Sequence, residues 1–174
     1  MPRVLRTVGL ACVAGMGGLA AVAVHAQPLK NWFDDPYFAV RQGLAACAVP
    51  RGPYGTEEDM RRETHSRAER GTSCWLAGRC SKPNAYLYDR DLAAAVRARF
   101  DASPAWRHAS LWVTVQRRIV YVEGCVPAGT RDGALQALLK DLPELDLLVV
   151  NVSRGRTASP PYRAMPAEAA SAVR

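Results

Sequence analysis

Apolar residues recur every four positions at Leu92, Val96 and Phe100, which places them on one face of a helix. Asp89 or Asp91 can cap that helix, and the Asp-Ala-Ser-Pro run at 101–104 ends it. The period then changes to two. Residues 111–116 alternate as a strand, and residues 119–124 alternate as a second. A two-residue turn at Arg117-Arg118 pairs Val115 with Val120, Val113 with Val122, and Leu111 with Gly124. That register puts Leu111, Val113, Val115, Val120 and Val122 on one face of a hairpin. A second helix is predicted over residues 130–141, with Ala134, Ala137, Leu138 and Leu142 as its buried stripe and Pro143 as its stop. Residues 147–152 form a third strand. The order is helix, hairpin, helix, strand, which makes an α+β module over residues 86–154.

Alternation also assigns the opposite face of the hairpin. Trp112, Thr114, Ile119, Tyr121 and Cys125 point away from the helices, joined by Leu147 and Val149 from the third strand. Such a face is too apolar to leave in water. Residues 27–85 are expected to pack over it as an extension. The competing expectation is that Trp112, Ile119 and Tyr121 form a docking face.

The extension reads as irregular and rich in Gly, Pro and aromatics, apart from a polar surface helix over residues 56–70. Thr56 caps that helix, Glu57, Glu58 and Asp59 oppose its dipole, and Gly71 stops it. Residues 155–174 hold several Pro and Ala, few apolar anchors and a basic balance, and are expected to be a disordered tail.

The first 26 residues read as a secretory signal: Arg3 and Arg6, an apolar run over 8–24, and a small-x-small site at Val24-His25-Ala26. The expected location is therefore the periplasm or the extracellular space. Beyond that signal lie Cys47, Cys74, Cys80 and Cys125, an even set that implies two disulfides in an exported chain. Spacing alone allows three pairings. The short loop between Cys74 and Cys80 is most simply closed by its own bridge and reads chiefly as a staple, with an exposed recognition loop carrying Trp75 and Arg79 as the alternative. Cys125 points to the same side as the covering segment, so Cys47–Cys125 is the expected second bridge. No Cys-x-x-Cys pair and no His at ligand spacing supports a metal site.

Loss of Arg3 and Arg6 with the signal lowers the formal charge from +7 to about +5. Export argues against nucleic acid as partner and for anionic lipid headgroups or an acidic protein. No Gly-x-Ser-x-Gly, His-Glu-x-x-His or phosphate-cradling glycine loop is present, so neither catalysis nor a cofactor is expected. Arg117 and Arg118 at the hairpin tip are the candidate lipid-binding residues, with Trp106 and Arg107 expected beside them as an aromatic anchor next to charge.

The stretch from Asp91-Leu92 through Val96 and Phe100, then Val120-Tyr121-Val122-Glu123-Gly124-Cys125-Val126, then residues 138–152, resembles a BON domain, a small module of bacterial envelope proteins. Two departures stand out. Arg118 occupies the hairpin turn and Glu144 precedes the last strand, where the family tends to glycine. At Arg118 the departure predicts an altered turn, since a left-handed backbone costs a non-glycine residue about 1–2 kcal/mol. The resemblance implies non-enzymatic association with the envelope, through acidic phospholipid or, alternatively, through protein–protein contact within an envelope assembly.

Overall fold

The computed structural model describes residues 27–155 and 159–170, so the expected signal segment lies outside the described residues. Four strands form one mixed sheet in the order β1-β2-β3-β4: β1 Tyr37–Gln42, β2 Ser110–Gln116, β3 Ile119–Val126 and β4 Leu147–Arg154. The β1–β2 and β2–β3 pairs are antiparallel and β3–β4 is parallel. Helices α1 (Glu57–Leu76), α2 (Asp89–Asp101), α3 (Ala134–Leu139) and the short α4 (Ala167–Ala170) complete the α+β fold, with a 3₁₀ turn at Ala85–Tyr88 and another at Pro104–Trp106.

The hairpin register is the one that alternation predicts, with Leu111 opposite Gly124, Val113 opposite Val122 and Val115 opposite Val120. Those five aliphatic side chains are fully buried against Leu92, Val96 and Phe100 of α2 and Leu135 and Leu139 of α3. Each fully buried aliphatic side chain contributes about 1.5–3 kcal/mol, which makes this layer the main core. Gly124 is required where it stands. It has φ +136°, and a Cβ there would lie 2.1 Å from the Ser110 carbonyl oxygen.

Several expectations need correction. The second helix is shorter than residues 130–141, because Gly133 sits in the left-handed region immediately before it. Its buried stripe is Leu135, Leu139 and then Leu142, while Ala137 is exposed. The polar helix does not stop at Gly71 but runs on to Leu76. Gly71 is buried inside it, where a Cβ would meet the Asn84 side chain at 2.7 Å, so this glycine serves close packing. Nor is α1 simply a solvated surface helix. Its Arg67 forks onto the buried Asp35 carboxylate at 2.7 and 2.9 Å, sandwiched by Phe33 and Tyr86. The extension also contains strand β1, which continues the sheet and places Phe38 in the main core.

The opposite face of the sheet is covered, although not by the extension alone. Cys47, Val49, Trp112, Cys125 and Met165 form a second buried cluster with Leu29, Leu44 and Tyr54 around it. Both expected disulfides are present, Cys47–Cys125 and Cys74–Cys80. Trp112 and Ile119 are buried and Tyr121 is half-buried, so the three do not present one exposed face. The tail is not disordered over residues 159–170. Arg51 and Met165 donate backbone hydrogen bonds to Arg163 and Val49, both at 2.7 Å. The Tyr162 hydroxyl donates to Ala48 at 2.8 Å and rests against both sulfurs of the Cys47 bridge.

Candidate functional site

The hairpin turn is built from two residues that resist its geometry. Arg117 and Arg118 have φ values of 54° and 64°, so the turn takes the left-handed shape that the non-glycine residue was expected to prevent. Asp89 makes this possible. It does not cap α2, which begins after Tyr88 with no side-chain cap. Instead its carboxylate accepts a hydrogen bond from the Arg117 N–H at one oxygen and from the Arg118 N–H at the other, each 2.7 Å long. Burial pushes the Asp89 carboxyl up to about 6, and the two N–H donors pull against that rise.

The two arginine side chains then diverge in role. Arg118 folds inward. Its guanidinium donates to the Glu144 carbonyl at 2.8 Å, approaches the Glu144 carboxylate at 3.5 Å, touches the Cys80 sulfur at 3.0 Å and covers the Tyr88 ring. With 15% of its side chain exposed, it is a structural residue and not a free lipid ligand. Arg117 makes no ion pair among the described residues, and its charge acts on the hydroxyls of Tyr86 and Tyr121.

Two further arginines join Arg117. Arg70 lies on α1 one helical turn before Cys74, and Arg79 sits in the loop that the Cys74–Cys80 bridge closes. The Arg79 N–H donates to the Cys74 carbonyl at 2.8 Å, which fixes the loop against the helix end. Arg70, Arg79, Arg117 and Arg118 line one small pocket with Ser73 and Asp146, of about 50 Å³.

This end of the molecule also carries the apolar exposure. Trp75, Leu76, Leu87 and Leu147 are 47%, 79%, 55% and 52% exposed. Trp75 and Leu76 adjoin the Cys74 bridge whose other sulfur touches Arg118. Leu87 precedes Tyr88, on which Arg118 lies, and its carbonyl accepts from Lys82 at 3.0 Å. Leu147 pairs with Ile119 directly after the turn, and the Asp146 N–H donates to the Arg118 carbonyl at 2.9 Å. Basic and apolar exposure therefore coincide around the hairpin tip.

Trp106 and Arg107 are not part of it. They precede β2, whereas the tip follows β2, and a seven-residue strand separates the two ends by about 20 Å. Trp106 is buried edge-on to Phe100, with ring centroids 6.4 Å apart, and Arg107 hydrogen-bonds His108. Sequence reasoning read the Cys74–Cys80 loop chiefly as a staple. The structure shows that the staple also presents Trp75 and Arg79 beside the tip. Arg70 was missed, because nothing local shows which side of the module α1 packs against.

The clefts elsewhere include one over Thr114, Gln116, Tyr121 and Glu123 (about 300 Å³), one beside the start of α1 (about 390 Å³) and a wider one between β1 and α2 (about 590 Å³). Burial raises the Glu123 carboxyl in the first. His65 pairs with Glu69 on the exposed side of α1. Among the described residues no group of three His, Cys, Asp or Glu could hold a metal ion, and no helix is long and apolar enough to cross a membrane. No family model, curated protein or solved structure matches the chain.

Proposed function

We propose that this protein is a non-enzymatic, BON-like envelope module that associates peripherally with acidic phospholipid through its hairpin-tip end. The observation that carries the proposal is the coincidence of Arg70, Arg79 and Arg117 with the four strongly exposed large hydrophobic side chains found among the described residues. A peripheral membrane site needs both, since charge draws the protein to an anionic surface and apolar side chains enter the headgroup boundary. Each Lys or Arg near such a surface contributes about 1 kcal/mol, and that contribution falls with salt. Two disulfides agree with an oxidising compartment outside the cytoplasm. The BON-like reading draws support from the helix–hairpin–helix–strand order. It draws further support from the left-handed backbone at Arg118 and Glu144, the two positions where that family favours glycine.

The test is co-flotation of the oxidised protein with neutral and acidic vesicles at low and high salt. Binding is expected only to acidic vesicles and only at low salt, and Arg79→Glu with Arg117→Glu should abolish it. Unchanged binding of that double variant would refute the proposal. One observation favours a second reading, as an interaction module in an envelope assembly. β4 is a sheet edge, eight residues long, with no proline and an exposed Leu147 at its start. Crosslinking from β4 to an envelope protein, with no vesicle binding, would select that reading.

A further inference from the structure

We infer that the pocket between the α1 C-terminus and the hairpin turn is a binding site for a single phosphomonoester group, presented by a lipid headgroup. The inference rests on the membrane reading above for the source of the phosphate, and on the pocket itself for its chemistry.

Arg41, Arg51, Arg67, Arg90 and Arg118 each pair with a carboxylate. Arg70, Arg79 and Arg117 form no ion pair among the described residues, yet all three line the same small pocket. Three like charges do not gather without partners for the sake of stability, because their mutual repulsion opposes the fold. The pocket holds one carboxylate, Asp146, while Arg118 is already paired with Glu144. Asp146 and the Asp89 carboxylate behind the turn offset part of this charge, and the three guanidiniums offer more donors than the two free oxygens of a phosphodiester accept, which suits the three terminal oxygens of a phosphomonoester. The pocket is small, about 50 Å³, a size in keeping with a compact anionic group.

The donors are also held in place. Arg70 is on a helix, Arg79 on a disulfide-closed loop, and Arg117 on a turn whose N–H groups are clamped by Asp89. Guanidinium forks suit phosphate oxygens, and a fixed backbone beneath each one keeps the three within reach of one group. Arg70 and Arg79 belong to the extension, and Arg118 touches the Cys80 sulfur, so the site forms where the extension meets the module's hairpin.

The experiment compares vesicles of phosphatidic acid with vesicles of phosphatidylglycerol at matched surface charge, and adds calorimetric titration with inorganic phosphate at constant ionic strength. The oxidised chain is compared with Arg70→Gln and Arg79→Gln, both at exposed positions, with folding verified by circular dichroism. Preference for phosphatidic acid is expected, and each substitution should lower binding to phosphatidylglycerol by about fivefold, as loss of one charge does, and binding to phosphatidic acid by clearly more. Equal binding to the two acidic lipids would overturn the phosphomonoester site and leave the acidic-membrane reading intact. Binding of inorganic phosphate with no vesicle binding, lost in both variants, would support the pocket and overturn the membrane as its source. Binding of neither vesicles nor phosphate would overturn both.

Discussion

Asp89 carries the hairpin tip, and its removal tests that claim. Two non-glycine residues in the left-handed region cost about 1–2 kcal/mol each. The compensation is a pair of 2.7 Å hydrogen bonds from their N–H groups to one buried carboxylate, and bonds to a charged partner contribute about 1.5–3 kcal/mol each. Asp89→Asn keeps the shape and one acceptor oxygen but turns an amide NH₂ toward the other N–H. It should destabilise the oxidised protein by about 2–4 kcal/mol in urea unfolding at pH 7, followed by tryptophan fluorescence. Arg117→Gly in the same background should recover about 1 kcal/mol by removing one strained residue. The pH dependence supplies a second readout. The folded-state carboxyl titrates at about 6, against 3.8 for the ordinary group, so the folded protein binds this proton more tightly than the unfolded chain. That contribution to stability is absent above the folded value, grows as pH falls from about 7 to about 4, and reaches about 3 kcal/mol. Asparagine cannot titrate, so the gap between wild type and variant should widen on acidification. A loss below about 1 kcal/mol at pH 7, or a gap that stays constant down to pH 4, would refute the reasoning.

Further predictions concern the two layers. Replacing Cys47 and Cys125 together by serine opens a loop spanning 78 residues and should cost about 4–5 kcal/mol in denaturant unfolding, with the Cys74–Cys80 bridge still formed by mass spectrometry. Gly124→Ala drives a Cβ into the β2 backbone and should cost more than about 4 kcal/mol, seen as failure to recover folded protein; normal recovery would contradict the described β2–β3 approach. Tyr162→Ala should accelerate reduction of Cys47–Cys125 by dithiothreitol and leave the rate for Cys74–Cys80 unchanged, because Tyr162 lies against the first bridge only.

Strands β2 and β3 were legible because one face is buried among aliphatic residues, and a one-residue slip would turn every one of them to the other side. The helix through Leu92, Val96 and Phe100 was legible for the same reason. The errors arose where tertiary contact overrides a local signal. Gly71 reads as a helix stop until Asn84 is seen pressed against it. Asp89 reads as a helix cap until the turn N–H groups are seen to claim its carboxylate. Strand β1 was hidden by the Gly and Pro around it, although Tyr37, Phe38 and Val40 carry ordinary strand propensity. At the site, Arg117 was identified because a turn must be exposed. Arg118 was misassigned because nothing local reveals that Glu144, Cys80 and Tyr88 converge on it. Trp106 was misassigned because a loop aromatic gives no local sign of which end of the sheet it reaches.

The two disulfides divide the work of the extension. Cys47–Cys125 fastens it to the sheet face, where the tail closes over the bridge through Tyr162 and Met165 and leaves that region buried. Cys74–Cys80 does the opposite at the far end of α1. It holds a loop open to solvent and sets Trp75, Leu76 and Arg79 beside the hairpin turn. A protein that needed only to cover its apolar sheet would have no reason to leave Leu76 and Leu147 exposed next to three arginines without an ion pair among the described residues, since apolar exposure and like-charge crowding both oppose stability. The uncovered end is therefore the part of the surface whose composition stability does not explain, and function is the remaining account of it.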